Sequence, residues 1–129
     1  MSRNKRSYRG LNYHRTTYLG DKALIKALEE REDCNTPLAV VLQTDGTVTL
    51  GKAEDEILGF VYVGSDDGNV GVIDEGYVCD VIGEGLKVGD GVVADGKGGV
   101  KKATTAKATD LKVASISDHD GTVVKVAFR

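Results

Sequence analysis

Apolar residues recur along the chain with two different spacings, which divide the sequence into a short helical part and a longer β part. The helical spacing occurs in residues 21–33, DKALIKALEERED. Asp21 is suited to cap the first turn of this helix, and Asn35 and Pro37 follow its end. The apolar side chains that share one helix face are Leu24, Ile25 and Leu28. This face is short, which predicts a helix that lies on the surface of another structure.

From Leu38 onward the apolar residues alternate or form short runs rich in Val and Ile. Gly or Asp bounds these runs at intervals of roughly 8–12 residues, which is typical of an all-β barrel or sandwich. The predicted strands are Leu38–Leu42, Thr47–Leu50, Ile57–Val63, Val70–Ile73, Tyr77–Ile82, Gly91–Ala94, Leu111–Ser117 and Val123–Phe128.

A repeated phrase, Asp-Gly-x-Val, separates several of the predicted strands, at residues 45–48, 67–70 and 120–123. Residues 95–100 are a lengthened version of it. Asp-Gly favours the positive φ angles of a type I′ hairpin, and the valine starts the returning strand. Residues 101–110 are polar and lack periodicity, which predicts an exposed loop. The sequence therefore predicts a mainly β protein, a small barrel or sandwich with one short helix and an extended N-terminal segment.

The charges are distributed unevenly. Residues 1–20 contain five Lys or Arg and no Asp or Glu, whereas the rest of the chain contains 12 basic and 20 acidic residues, a formal charge of 12 − 20 = −8. We call residues 1–20 the basic arm. It contains too little apolar surface to fold alone, so we expect it to take its structure against something else. We therefore predict a basic arm at 1–20 and a single β-rich domain at 21–129.

Arg and Tyr are enriched at protein interfaces, and both occur repeatedly in the basic arm. Disorder and binding to nucleic-acid phosphates are the two alternatives. Residues 21–129, which we call the acidic body, carry the formal charge of −8 and would repel a phosphate backbone. This repulsion favours a protein surface as the partner of the basic arm. The predicted partner-binding residues are Arg3, Lys5, Arg6, Tyr8, Arg9, Tyr13, Arg15 and Tyr18.

The two cysteines, Cys34 and Cys79, are 45 residues apart and lack the spacing of a metal site. We expect both to be free thiols, buried or half-buried, in a reducing compartment. No apolar run approaches the roughly 20 residues of a membrane span. No apolar segment follows the N-terminal charges, so a signal peptide is not expected.

The sequence contains no convincing catalytic or metal-binding pattern. Asp-Gly-Thr at residues 45–47 and 120–122 reverses the Asp-Thr-Gly order of aspartic proteases, which favours hairpin turns. Three further clusters could in principle bind a metal ion, but none has the arrangement of ligands that zinc or calcium requires. They are Asp118-His119-Asp120, the acidic residues 54–56 and the acidic pair at 66–67. We expect all three to be solvated turns or loops. Gly83-Glu84-Gly85 lacks the context of a nucleotide-binding loop. We therefore expect no enzyme activity, no metal and no cofactor.

The middle of the chain resembles the capsid decoration, or cement, proteins of tailed bacteriophages. The residues that carry this resemblance are Ile57-Leu58-Gly59, Gly71-Val72, Val88-Gly89-Asp90-Gly91-Val92 and the hairpin from Ala94 to Val100. The resemblance implies an auxiliary virion protein without an active site, which binds the outside of a capsid, often as a trimer. It further implies the major capsid protein as partner, and an N-terminal segment that lies on the shell or reaches neighbouring subunits.

Three other functions fit parts of the sequence. A tail-tube or head-fibre component would share the β-rich, glycine-rich composition. A nucleic-acid-binding module would use the basic arm. A biotinyl- or lipoyl-like carrier domain would present Lys97 at a hairpin tip, although the expected flanking residues are missing.

Overall fold

The computed structural model describes residues 15–31, 35–64, 67–103 and 111–128, apart from the side chains of Arg15 and Val63. Ten strands and one helix lie within these ranges. In chain order they are β1 Arg15–Gly20, α1 Lys22–Glu30, β2 Leu38–Leu42, β3 Thr47–Thr49, β4 Gly59–Gly64, β5 Asn69–Ile73, β6 Tyr77–Ile82, β7 Val92–Ala94, β8 Val100–Lys102, β9 Leu111–Ile116 and β10 Val123–Phe128. The mainly β fold class with one short helix is confirmed.

Five of the strands form a closed barrel in the order β1-β3-β2-β4-β5. β1 closes it by pairing antiparallel with β5, from Arg15 opposite Ile73 to Leu19 opposite Asn69, and parallel with β3. A three-stranded sheet, β6-β10-β9, and a two-stranded sheet, β7-β8, complete the fold. The sequence was compatible with either a barrel or a sandwich. The closed five-stranded sheet shows that the fold contains a barrel.

Two hydrophobic cores share strands β2 and β4. Val40 and Val61 are fully buried inside the barrel, whereas Ala39 and Phe60, their neighbours along the chain, pack into a second core with the three-stranded sheet. There the ring of Phe60 meets Phe128 edge to face, with centroids 6.1 Å apart. Because side chains alternate between the two faces of a strand, a strand between two cores needs apolar residues at successive positions. This explains the run Leu38–Val41.

Helix α1 is shorter and more deeply packed than predicted. The carboxylate of Asp21 caps it by accepting a hydrogen bond from the Leu24 N–H at 2.8 Å. Leu24 is fully buried and Leu28 nearly so, both against the barrel core. The helix ends at Glu30, with Arg31 as its C-cap. It therefore seals the barrel, and its small apolar face is enough because an apolar core lies directly beneath it.

Residues 15–20 of the basic arm differ from the prediction, because they form strand β1 of the barrel. Their sequence, RTTYLG, has weak apolar patterning, so the strand is stabilised by its pairing with β5, a contact between residues about 55 positions apart. Strand β8 was likewise missed, since it reaches into the predicted loop at 101–110. Its residues Val100–Lys102 pair with β7.

The Asp-Gly turns connect strands as predicted, but their backbone is not type I′. The φ angle of Gly46 is positive, at 88°, whereas the φ angle of Asp45 is not positive. A type I′ turn requires positive φ at both central residues. The N–H of Gly46 donates to the carbonyl of Gln43 at 3.0 Å, so Asp45 is the third residue of a four-residue turn. The aspartate stabilises this turn through its side chain, which accepts the N–H of Thr47 at 3.0 Å.

Candidate interaction surfaces

Most of the predicted partner-binding residues, namely Arg3, Lys5, Arg6, Tyr8, Arg9 and Tyr13, lie outside the described residues. Arg15 and Tyr18 lie in strand β1. Tyr18 is half-buried and packs against the barrel core. Part of its ring therefore stabilises the barrel, and its role in binding a partner stays a prediction.

The register of β1 shows where the rest of the basic arm joins the barrel. Arg15 stands opposite Ile73, the last residue of β5. The chain after Ile73 turns through Asp74 and Glu75 before β6 starts at Tyr77. Residues 1–14 thus connect to the barrel beside a turn that carries two acidic residues. They contribute four positive charges and no negative one.

The outer face of the sheet β6-β10-β9 starts near this junction and carries exposed apolar side chains. Tyr77 is 62% exposed and Ile82 is 43% exposed, at opposite ends of β6. The ammonium group of Lys125, on the neighbouring strand β10, lies 5.0 Å from the centre of the Tyr77 ring. Such a cation–π pair holds both side chains at the surface. The sequence signal for this face is the alternation of exposed and buried residues in Tyr77–Ile82.

A β-bulge interrupts β6 in the middle of the same face. Val78 pairs with Val126 and Val81 with Val124, so Cys79 and Asp80 together face one residue of β10. Asp80 adopts a positive φ of 63°. The bulge turns Cys79 outward, and its thiol is free and exposed. This corrects the expectation of a buried or half-buried thiol for Cys79; Cys34 lies outside the described residues.

The carbonyl of Cys79 accepts a hydrogen bond from the hydroxyl of Tyr62 at 3.0 Å. Tyr62 belongs to β4, so this bond connects the barrel to the bulge in the three-stranded sheet. Burial of the ring raises the pKa of Tyr62 to about 12, with a smaller electrostatic contribution from Cys79. The phenol is therefore a hydrogen-bond donor at every physiological pH.

A broad, open groove of about 860 Å³ lies between the start of α1 and the residues after β3. Asp21, Asp45 and Asp55 line it, with Lys52 as the basic residue among them. Each carboxylate already accepts a local main-chain N–H, from Leu24, Thr47 and Lys52 respectively. The three carboxylates therefore stabilise turns and the helix start. No three His, Cys, Asp or Glu side chains within the described ranges are grouped so as to hold a metal ion.

The two Asp-Gly-Thr turns do not bring a pair of carboxylates together for catalysis. Asp45 is bonded to both the N–H and the hydroxyl of Thr47, which lowers the pKa of its carboxyl group. In the last hairpin Asp118, not Asp120, plays the equivalent part. Its carboxylate accepts the N–H of Thr122 at 2.9 Å and also the Thr122 hydroxyl, which lowers the pKa of Asp118.

The remaining sequence candidates lie in surface turns. Asp118-His119-Asp120 is part of the β9–β10 turn, where His119 and Asp120 are exposed. Lys97 is exposed in the β7–β8 hairpin, and its N–H donates to Asp95 at 2.7 Å. Glu54 forms an ion pair with Lys101 at 2.5 Å. Asp66 lies outside the described residues.

No protein-family model matches the chain, and no curated protein matches it significantly. The helix within the described ranges is too short to span a membrane.

Proposed function

We propose that the protein is a structural component of a tailed-phage virion that binds the outer surface of the capsid and stabilises the shell. In this proposal the major capsid protein is the partner, the basic arm contacts the capsid or a neighbouring subunit, and the protein acts as a homo-oligomer, with a trimer favoured. The protein is made in the host cytoplasm and carries out no catalysis.

The observation that supports this proposal best is the continuity between the basic arm and the barrel. Residues 1–14 of the arm directly precede β1, which pairs along its length with β5 and at its end with β3. A force on residues 1–14 would therefore act on a strand of the closed barrel. Fully extended, these 14 residues reach about 45–50 Å, far enough to contact a neighbouring subunit on a shell.

The small free energy of each exposed ion pair explains why such a protein would act as an oligomer. One exposed ion pair contributes about 0.2–1 kcal/mol, so the four charges of residues 1–14 contribute a few kcal/mol at most before the ordering cost. Linked arms bind with a high effective concentration, which multiplies a weak contact. Several arms around a symmetry axis would therefore hold a lattice that one arm could not.

The decisive experiment measures occupancy on expanded capsids assembled from the major capsid protein encoded in the same genome. The truncation must remove residues 1–14 only, because removal of residues 1–20 would delete strand β1 and open the barrel. We expect co-sedimentation with capsids to fall strongly in this variant. We also expect a large loss when Arg3, Lys5, Arg6 and Arg9 are all replaced by Gln.

A matched control removes the same number of charges elsewhere, by replacing the exposed residues Lys22, Lys26, Lys87 and Lys97 with Gln. Equal losses in both four-fold variants would indicate a general charge effect. Unchanged occupancy without residues 1–14 would refute the role of the arm. If the full chain binds DNA with steep salt dependence but ignores capsids, the nucleic-acid alternative replaces the proposal.

A further inference from the structure

The chain contains five Asp-Gly sequences, starting at Asp45, Asp67, Asp90, Asp95 and Asp120. In such a pair the main-chain nitrogen of glycine can attack the side-chain carbonyl carbon of aspartate, because glycine has no side chain to obstruct the approach. The product is a five-membered succinimide ring. Its hydrolysis returns aspartate or gives isoaspartate, in which the main chain passes through the former side chain.

Four of the five carboxylates are held away from this reaction by main-chain hydrogen bonds. To attack, the glycine nitrogen needs the carboxyl carbon to rotate towards it, and each bond opposes that rotation. The bonds, with their donor–acceptor distances, are Thr47 N–H to Asp45 at 3.0 Å, Asn69 N–H to Asp67 at 3.1 Å, Lys87 N–H to Asp90 at 2.9 Å and Lys97 N–H to Asp95 at 2.7 Å.

Asp120 differs from the other four. Its side chain is exposed and forms no hydrogen bond or ion pair with any residue that the structure describes. The reason is that Asp118 has taken over the stabilisation of this turn, by accepting the N–H groups of Thr122 and Val123.

We propose that Asp120-Gly121 is the site at which the folded protein spontaneously forms isoaspartate. The nitrogen of Gly121 forms a bond to Cγ of Asp120 and loses its proton to water. The hydroxyl group of the Asp120 carboxylic acid leaves with a proton as water. Addition of one water to either ring carbonyl then opens the succinimide, so the cycle needs no oxidant, reductant or further reactant.

The modification has a structural consequence because Gly121 is tightly packed. Its carbonyl accepts the N–H of Leu86 at 3.1 Å, and a Cβ atom on Gly121 would lie 2.4 Å from the carbonyl oxygen of Leu86. Isoaspartate adds one methylene to the main chain directly before this contact. Leu86 is a buried core residue, so its displacement loosens the loop that follows it.

The test follows all five sites in the full-length protein at neutral pH and physiological temperature. One sample is kept folded and a second is kept in denaturant, where the four bonded carboxylates lose their hydrogen bonds. Tryptic peptides are separated, and isoaspartate is located by electron-transfer fragmentation; residue 120 lies in the peptide 113–125. The Asp120→Glu variant is the matched control, since glutamate would have to form a slower six-membered ring.

In the folded protein we expect isoaspartate at residue 120 to form at least roughly five-fold faster than at the other four sites, because each of those must first break a hydrogen bond. In denaturant the five rates should converge. The isomerised fraction, once isolated, should unfold at a lower temperature than the fresh protein. Faster reaction at any other Asp-Gly pair of the folded protein, or the same isomer in Asp120→Glu, would overturn the proposal. The inference does not depend on the proposed capsid function.

Discussion

The hydroxyl of Tyr62 donates a hydrogen bond to the carbonyl of Cys79 at 3.0 Å, and this contact joins the barrel to the three-stranded sheet. The carbonyl of Tyr62 in turn accepts a hydrogen bond from the guanidinium group of Arg31, which caps the end of α1. The hydrogen bonds of Tyr62 therefore connect helix α1, the barrel and the three-stranded sheet. The β-bulge in β6 makes this possible, because it presents the Cys79 carbonyl towards β4.

Replacing Tyr62 with Phe removes the hydroxyl and leaves the ring in place. We expect the free energy of unfolding to fall by about 1 kcal/mol, the usual net contribution of one hydrogen bond. Tyr77→Phe is the matched control, since Tyr77 is 62% exposed and its substitution should change stability by no more than about 0.5 kcal/mol. Chemical denaturation measures both; equal effects would contradict the role of the Tyr62 bond.

The same tyrosine predicts a loss of stability at alkaline pH. The pKa of Tyr62 is about 12 in the folded protein, against an ordinary tyrosine value of 10.0. Because the unfolded chain loses this proton first, the stabilisation is complete below pH 10 and is lost as the pH rises towards 12. Unfolding curves across that range should show a steeper decline for the wild type than for Tyr62→Phe. Parallel curves would contradict this assignment.

The last hairpin should depend on Asp118 and not on Asp120. Asp118→Ala removes the acceptor for Thr122 and Val123, so thermal unfolding should occur at a clearly lower temperature than for Asp120→Ala. The pKa of Asp118 is lowered in the folded state. Its stabilisation is therefore present above the unfolded pKa of about 4 and is lost as the pH falls below it. Asp118→Ala should therefore flatten the acid side of the stability profile relative to that of the wild type.

Leu24 tests whether the helix is part of the barrel core. Leu24→Ala should cost about 2–5 kcal/mol, because the side chain is fully buried and its removal leaves a cavity. Leu19, in the adjacent strand β1, is 50% exposed and gives the control. Leu19→Ala should cost no more than about 1 kcal/mol. A small effect at Leu24, measured by denaturant unfolding, would mean that the helix does not seal the barrel.

The boundary of the basic arm can be tested by two truncations. The chain that starts at Arg15 keeps strand β1 and should unfold cooperatively at nearly the temperature of the full chain. The chain that starts at Asp21 lacks the strand that closes the barrel and leaves Val70 and Val72 of β5 without a partner strand on one side. We expect it to be unfolded or aggregated. Circular dichroism and thermal melting distinguish the two; equal stability would show that β1 is dispensable.

Strands β2, β6 and β10 begin and end at the predicted residues. Their valines and isoleucines occur in short runs with Gly, Asp or Pro nearby, so local sequence is sufficient to locate them. The cap of the helix by Asp21 was also predictable, since it involves residues only three positions apart. The bulges could not be predicted, because they depend on the register between strands that are distant in sequence.

By itself, the sequence determined the β class, the positions of most strands and turns, the helix start and the separation of basic arm from acidic body. Each of these depends on neighbouring residues and their intrinsic preferences. Tertiary structure decided that residues 15–20 belong to the barrel, that Cys79 faces outward, and that Asp118 leaves Asp120 without a bond. These features arise from pairing, packing and hydrogen bonding in the folded chain, where the preferences of a single segment no longer decide the outcome.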